Sequence, residues 1–89
     1  MKAIVTVAGK DRVGIIAAVC VKLAEYNINI LDISQTVLRD YFTMMMMVDV
    51  SACSISLAEL VGLLEKEGEA QGLSIRLQRE DIFEAMHRI

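Results

Sequence analysis

The order in which two hydrophobic periodicities alternate along the chain constrains its fold more than any other feature. Some segments repeat apolar residues at every second position, which is typical of strands, and others repeat them at the i, i+3, i+4 spacing of a helix. The predicted strands are residues 2–8, 28–38, 42–52 and 73–80, and the predicted helices are residues 14–26 and 56–71. The sequence therefore predicts the order strand, helix, strand, strand, helix, strand.

This order predicts a single α+β domain over residues 1–89. Two strand–helix–strand units with right-handed crossovers form a ferredoxin-like βαββαβ sandwich, with a four-stranded antiparallel sheet in the order 4-1-3-2. Both helices then cover one face of the sheet, and we call the other face the open face. The last residues, "DIFEAMHRI", predict a short C-terminal helix.

Local signals at the segment ends support these assignments. Ser56 and Glu59 have the spacing of a capping box, and Asp11 is placed to cap the first helix. Asn27 is a plausible stop for that helix. The alternation in the second strand slips at residues 30–31, which predicts an irregular entry. Cys20 falls on the apolar stripe of the first helix and is expected in the core.

The third strand contains four consecutive methionines in "YFTMMMMVDV", residues 41–50. Met44 and Met46 are predicted to pack under the helices. Met45 and Met47 then lie on the open face with Ile4 and form a small apolar patch between polar edge strands. The patch predicts an interface with a second copy of the chain. The alternatives left open are incidental exposure, or cover by Phe83 or Met86 from the tail.

Composition excludes several classes of function. Hydrophobic residues make up 55% of the chain, the net charge is −3, and Lys and Arg are scattered singly, so no basic stripe indicates nucleic-acid binding. No apolar run is long enough for a membrane span or a secretory signal. Cys20 and Cys53 are far apart in sequence, which favours free thiols in a cytoplasmic protein.

Motifs for catalysis or cofactor binding are also missing. Gly9 and Gly14 have phosphate-loop spacing, but no Lys-Ser/Thr pair follows Gly14. His87 is the single histidine, and no cysteine has a partner at metal-ligand spacing. The sequence therefore predicts a protein that is not an enzyme and has no metal or cofactor. An acylphosphatase-like activity through Arg12 is the less favoured alternative.

The loop "AGKDRVGI" is the strongest candidate for a binding site. Gly14 lets a ligand approach the backbone, and the N–H groups of residues 13–15 at the start of a helix favour a carboxylate. The carboxylate of Asp11 is suited to an amino group. In the purely structural alternative, Asp11 only caps the helix and the glycines only make the turn.

From the first predicted strand into the second, residues 5–37, "VTVAGKDRVGIIAAVCVKLAEYNINILDISQTV", resemble the ACT domain family, small regulatory modules of amino-acid metabolism. The likeness is greatest to single-domain UPF0237-type proteins and extends to ACT domains of glycine-cleavage regulators. It implies a homo-oligomer, expected to be a dimer, that binds an amino acid at a subunit interface. Family members pair either side by side through the second strand and first helix, or sheet face to sheet face. The output is expected to pass through a partner protein. The positions carried over from the family are Asp11, Gly14 and Asn29, and Val13 and Ile15 join the candidate site through their backbone N–H groups.

The chain departs from the family pattern at two of these positions. Val13 stands where the family often has proline, and Asp11 stands where serine-binding members carry an amide. The first change affects the rigidity of the loop. The second makes serine a doubtful ligand, and it leaves a ligand-free interaction module as the alternative function.

Overall fold

The computed structural model describes residues 1–10 and 14–81, and the six predicted elements are present in the predicted order. The elements are β1 (Lys2–Lys10), α1 (Ile15–Glu25), β2 (Asn29–Leu38), β3 (Tyr41–Asp49), α2 (Leu57–Gln71) and β4 (Ser74–Arg79). Neighbouring strands are antiparallel in the order β2-β3-β1-β4. This confirms the predicted ferredoxin-like fold. β1 runs to Lys10, so Gly9 belongs to the strand and not to the predicted loop.

The core lies between the sheet and the two helices, as the periodicity predicted. Every second side chain of the central strand β3 is buried: Phe42, Met44, Met46 and Val48. Val19 and Leu23 of α1 and Leu60 and Leu64 of α2 pack in the same cluster. Because the buried side chains come from elements distant in sequence, removing one of the larger ones leaves a cavity shared by several elements.

The helix ends follow from local backbone chemistry. The Ser56 hydroxyl accepts a hydrogen bond from the Glu59 N–H at 3.2 Å, which confirms the predicted cap of α2. Asn27 follows α1 with a left-handed φ of 63°, and Ile28 N–H donates to the Leu23 carbonyl at 3.1 Å. This pattern closes the last turn of a helix and confirms the predicted stop.

Two sequence interpretations change in the structure. Cys20 is half-buried and lies outside the core cluster, because Val19 and Leu23 form the centre of the stripe that faces the sheet. The N-cap position of α1 is Gly14, whereas Asp11 lies outside the described residues. Glu80 and Asp81 are helical, but the rest of the predicted C-terminal helix, with Phe83, Met86 and His87, also lies outside them.

Candidate functional site

The backbone at the start of α1 is open to an approaching ligand. Gly14 is exposed and has φ 90° and ψ −1°, and among the described residues no atom beyond its chain neighbours lies within 4 Å of the position that a Cβ would take. Its carbonyl accepts the N–H of Ala18 at 2.9 Å, so the helix begins directly after it. The first turn carries no acidic side chain, so its own residues leave the positive end of the helix dipole uncompensated. This arrangement suits a carboxylate.

Of the other predicted residues of this loop, Asp11 and Val13 lie outside the described part of the chain. Ile15 is the first residue of α1, directly after Gly14. Arg12, on which the acylphosphatase alternative depends, also lies outside the described residues. The roles assigned to these side chains therefore stay predictions, and the described geometry of the loop is that of Gly14 and the helix behind it.

Asn29 lies at the opposite end of the molecule. It is the first residue of β2, is exposed, and pairs with Asp49, which pairs in turn with Lys2 at the start of β1. The first loop instead follows Lys10, at the far end of β1. Between the two ends runs α1, whose 11 residues span about 16 Å at the rise of an α-helix. A single chain therefore does not bring Gly14 and Asn29 into one site.

Asn29 lines a polar pocket of about 360 Å³. Its lining comes from the end of α1, the start of β2 and the end of β3: Ala24, Asn27, Ile28, Asn29, Asp49, Ser51 and Ala52. The Asn27 side-chain amide donates to the Ala52 carbonyl at 3.1 Å and holds one wall. The hydroxyl and then the backbone N–H of Ser51 lower the pKa of Asp49 by hydrogen bonding, so this carboxylate is ionised near neutral pH. It is ion-paired with the N-terminal ammonium of Met1 at 3.7 Å. Sequence reasoning singled out Asn29 but missed Asp49 and Ser51, which only the fold brings beside it.

The helix layer leaves the edge strand β2 uncovered. Ile33 and Val37 pair with the buried residues Met46 and Phe42, so they lie on the helix side of the sheet. Yet 43% of Ile33 and 54% of Val37 remain exposed. The register shift at the predicted irregular entry, between Ile30 and Asp32, confirms the slip in alternation. An edge strand with exposed apolar residues is a surface suited to pairing with another strand.

The three residues of the predicted interface, Ile4, Met45 and Met47, lie together on the open face, as the alternation predicted. Ile4 pairs with Met47 across the central strands, and Met45 lies two residue pairs further along, on the same face. Together with Asp32 and Ser34 they line a pocket of about 160 Å³. The predicted interface with a second copy stays a prediction, and the alternative cover by Phe83 or Met86 falls on residues outside the described part of the chain.

Other chemistry-bearing groups are dispersed over the described residues. Within residues 1–10 and 14–81, no three His, Cys, Asp or Glu side chains are grouped so that they could hold a metal ion. Cys20 and Cys53 are both half-buried and are free thiols. No helix in this part of the chain is long and apolar enough to cross a membrane.

Comparisons with known proteins agree with this architecture. A family model described as "ACT domain" matches residues 2–78. A UPF0237 protein of Bifidobacterium longum is 53% identical over 88 residues, which cover 99% of this chain and 98% of that protein. Among solved structures, an ACT domain protein from Streptococcus pneumoniae is 48% identical with a TM-score of 0.82, and the match covers 94% of each chain.

A more distant likeness extends to a larger protein. A structure described as a candidate glycine cleavage system transcriptional repressor superposes with a TM-score of 0.74 at 22% identity. The match covers 88% of this chain and 44% of that one. At this identity the likeness establishes a shared fold and nothing about a shared ligand.

Proposed function

The chain belongs to the ACT domain family, in its single-domain UPF0237 group, and we propose that it is a non-enzymatic regulatory protein that binds an amino acid or a similar small metabolite between two subunits. The observation that carries this proposal is the position of the two predicted ligand-binding elements. Gly14 and Asn29 lie at opposite ends of α1. A ligand that touches both therefore needs a second copy of the chain.

The exposed edge of β2 supplies a surface on which the second copy fits. β2 has 10 residues, and its outer backbone groups are free to pair with an antiparallel strand of another subunit. A two-fold axis through this edge inverts one copy relative to the other. The first loop of one subunit then lies on the same side of the dimer as Asn29 of its partner.

The chemistry at the two ends suits the two ends of an amino acid. The backbone N–H groups after Gly14 bind the carboxylate, and they gain from the positive end of the helix dipole. Asp11, on the same loop, binds the amino group. The Asn29 amide offers both a donor and an acceptor from the partner subunit. Ligand binding then stabilises the dimer or changes its affinity for a partner protein, through which the output passes.

The free thiols and the family membership support a cytoplasmic location, where thiols remain reduced. The departures at Asp11 and Val13 favour one alternative function, an interaction module that keeps the dimer and has lost the ligand. The same experiments separate the two functions, because only the sensor binds a metabolite.

Light scattering on Ile33→Asp tests the proposed interface. Pairing of β2 with a second copy would bury the new carboxylate without a partner, which is unfavourable. We therefore expect a folded monomer where the unmodified chain is a dimer. Ser74→Asp places the same charge on β4, the other edge strand, at a position that is also exposed, and is the matched control. An Ile33→Asp protein that stays dimeric would show that β2 is not the interface.

Calorimetry with a panel of amino acids tests the ligand. We expect heat with one member for the unmodified chain, and loss of that heat both for Asn29→Ala and for the Ile33→Asp monomer. Undiminished binding to the monomer would place the site within one chain and refute the shared site. No heat with any amino acid would favour the ligand-free module.

A further inference from the structure

The edge strand β2 contains one residue more than its pairing uses. Nine of its ten residues have partners in β3, and Leu31, at the register shift, has none. The pairing with β3 assigns each of the nine to a face: Asn29, Asp32, Ser34, Thr36 and Leu38 to the open face, and Ile30, Ile33, Gln35 and Val37 to the helix side. Without Leu31 the two faces alternate along the whole strand, and Ser34 is the fifth of the nine positions.

Two-fold symmetry restricts how two copies of β2 can pair. The strands are antiparallel across the axis, and residues directly opposite each other point to the same face of the sheet. An axis between two residues would set an open-face residue opposite a helix-side one, so the axis passes through a residue. At Ser34 all nine positions find a partner. An axis at either neighbouring residue leaves two positions at one end of each strand unpaired.

The charge on the strand disfavours a shift of the axis towards Asn29. With the axis at Ser34, the two Asp32 residues of the dimer are four positions apart, or about 13 Å along the strands. An axis at Ile33 would make them diagonal neighbours at about 7–8 Å. Because like charges repel across a sheet, the register centred on Ser34 is preferred to that one.

A shift in the other direction, to Gln35, has one gain and two costs. It would set Ile33 opposite the partner's Val37, and both of these apolar residues are exposed in the single chain. It would also set Leu38 opposite the partner's Asp32, where an apolar side chain removes water from a carboxylate. The first two positions of each strand would lose their backbone partners at the same time. The full-length register at Ser34 avoids both costs.

Full-length pairing brings the hairpin between β2 and β3 of one subunit to the Asn29 pocket of the other. Leu38 then lies opposite the partner's Asn29, on the same face of the sheet. Leu38 is 72% exposed in the single chain, which is the highest value for a large apolar side chain among the described residues. Its neighbour in β3, Tyr41, is 59% exposed. Both side chains therefore have a reason to be covered where the subunits meet.

This contact changes the character of the pocket. The single chain lines it with the polar residues Asn27, Asn29, Asp49 and Ser51. The partner's Leu38 adds an apolar side chain next to Asn29, and the partner's Tyr41 follows one strand spacing, about 4.8 Å, further away. A ligand whose polar groups meet Asn29 can then bury an apolar group against this wall.

We propose that the two-fold axis of the dimer passes through Ser34 and that the partner's Leu38 forms an apolar wall of the shared site, which selects an amino acid with an apolar side chain. This proposal rests on the proposed function for the β2 interface and for the shared ligand. It adds the register, the contribution of the partner and the class of ligand.

Disulfide cross-linking tests the register. In a background with Cys20→Ala and Cys53→Ser, Ser34→Cys sets two thiols directly opposite each other across the axis, within the reach of a disulfide. Thr36→Cys is the matched control, because Thr36 is also exposed and lies on the same face of the same strand. Its two copies are about 13 Å apart in this register, which is too far for a disulfide. On mild oxidation with diamide we expect a covalent dimer from Ser34→Cys and almost none from Thr36→Cys.

The two variants together separate the possible outcomes. Equal cross-linking at positions 34 and 36 would place the axis at Gln35, and faster cross-linking at position 36 would place it at Thr36 or beyond. Either result would overturn the proposed register and keep β2 as the interface. No cross-linking at either position, in a protein that light scattering shows to be a dimer, would refute the β2 interface of the proposed function itself.

Calorimetry on the cross-linked Ser34→Cys dimer tests the apolar wall, because the disulfide holds the subunits together in every variant. The titrants are leucine, methionine and phenylalanine as apolar amino acids, and serine and aspartate as polar ones. We expect heat with an apolar amino acid and none with the polar ones. Leu38→Ser should weaken this binding about tenfold or more, since an apolar contact is lost. Leu63→Ser, at an exposed leucine of α2, is the control and should leave the affinity unchanged.

Failure of the wall differs from failure of the shared site. Preference for a polar amino acid, or an affinity that Leu38→Ser does not change, would overturn the apolar wall and leave the shared site of the proposed function standing. Absence of heat with every amino acid would refute the sensor and this class of ligand together, and the cross-linking result would still decide the register.

Discussion

Two glycines of α2 provide a sharp test of how closely this helix packs, because one substitution should have opposite effects at the two positions. Among the described residues, a Cβ added at Gly62 would meet no atom within 4 Å apart from the adjacent backbone of its own helix. Alanine is better than glycine in a helix by about 1 kcal/mol, so Gly62→Ala should stabilise the fold by roughly that amount. In a domain of this size it should raise the melting temperature by about 4–8 °C.

Gly68 offers no such room. A Cβ there would lie 2.6 Å from the Leu73 carbonyl oxygen and 3.2 Å from the Ile75 backbone nitrogen. The Leu73 N–H also donates to the Gly68 carbonyl at 2.7 Å, so α2 and the start of β4 cannot separate without losing this bond. Overpacking costs about 1–3 kcal/mol, which exceeds the helix-propensity gain over most of that range. Gly68→Ala should therefore lower the stability by up to about 2 kcal/mol.

Thermal unfolding followed by circular dichroism measures both variants. All samples need the same protein concentration, because the stability of an oligomer depends on concentration. Gly62→Ala is the control for the change in helix propensity, since it makes the same chemical change in the same helix. If Gly68→Ala raises the melting temperature as much as Gly62→Ala does, then α2 does not approach the Leu73 carbonyl closely enough to exclude a methyl group.

Three further predictions concern the core, the first loop and the pocket beside Asn29. Leu60 is fully buried, so Leu60→Ala should cost about 2–5 kcal/mol in chemical denaturation, and a negligible loss would refute its place in the core. Gly14→Ala should cost about 1–2 kcal/mol because of its left-handed φ of 90°; an unchanged denaturation midpoint would argue against that conformation. The Asp49 pKa is lowered in the folded state, so its contribution is present above the ordinary pKa and is lost as pH falls through the lowered one. Acid unfolding of Asp49→Asn should therefore depend less steeply on pH, and an unchanged pH dependence would show that Asp49 makes no such contribution.

The periodicity of the sequence was sufficient to predict the order of elements and the buried half of β3. Met44 and Met46 alternate with Met45 and Met47, and successive side chains of a strand point to opposite faces of the sheet. The caps were equally local: Ser56 and Asn27 act within a few residues of their own positions. Features of this kind depend on neighbours along the chain, which the sequence contains.

The candidate site was only partly predictable. The first loop was identified from its own residues and Asn29 from the resemblance to ACT domains, and the predicted helix over residues 14–26 already implied that the two lie apart. The sequence also gave no sign that Asp49 and Ser51 would line a pocket with Asn29. Such proximity arises from strand pairing between segments about 20 residues apart, and pairing of this kind depends on register and topology.

The sequence by itself determined the elements, their order and the face of each core residue, because backbone geometry sets these periods locally. Tertiary structure alone decided the exposure of residues with identical periodicity. Ile33 and Met46 are both apolar and lie side by side on the same face of the sheet, yet only Met46 is buried. The physical reason is the reach of the helix layer, which ends before the edge strand and leaves apolar side chains of β2 exposed.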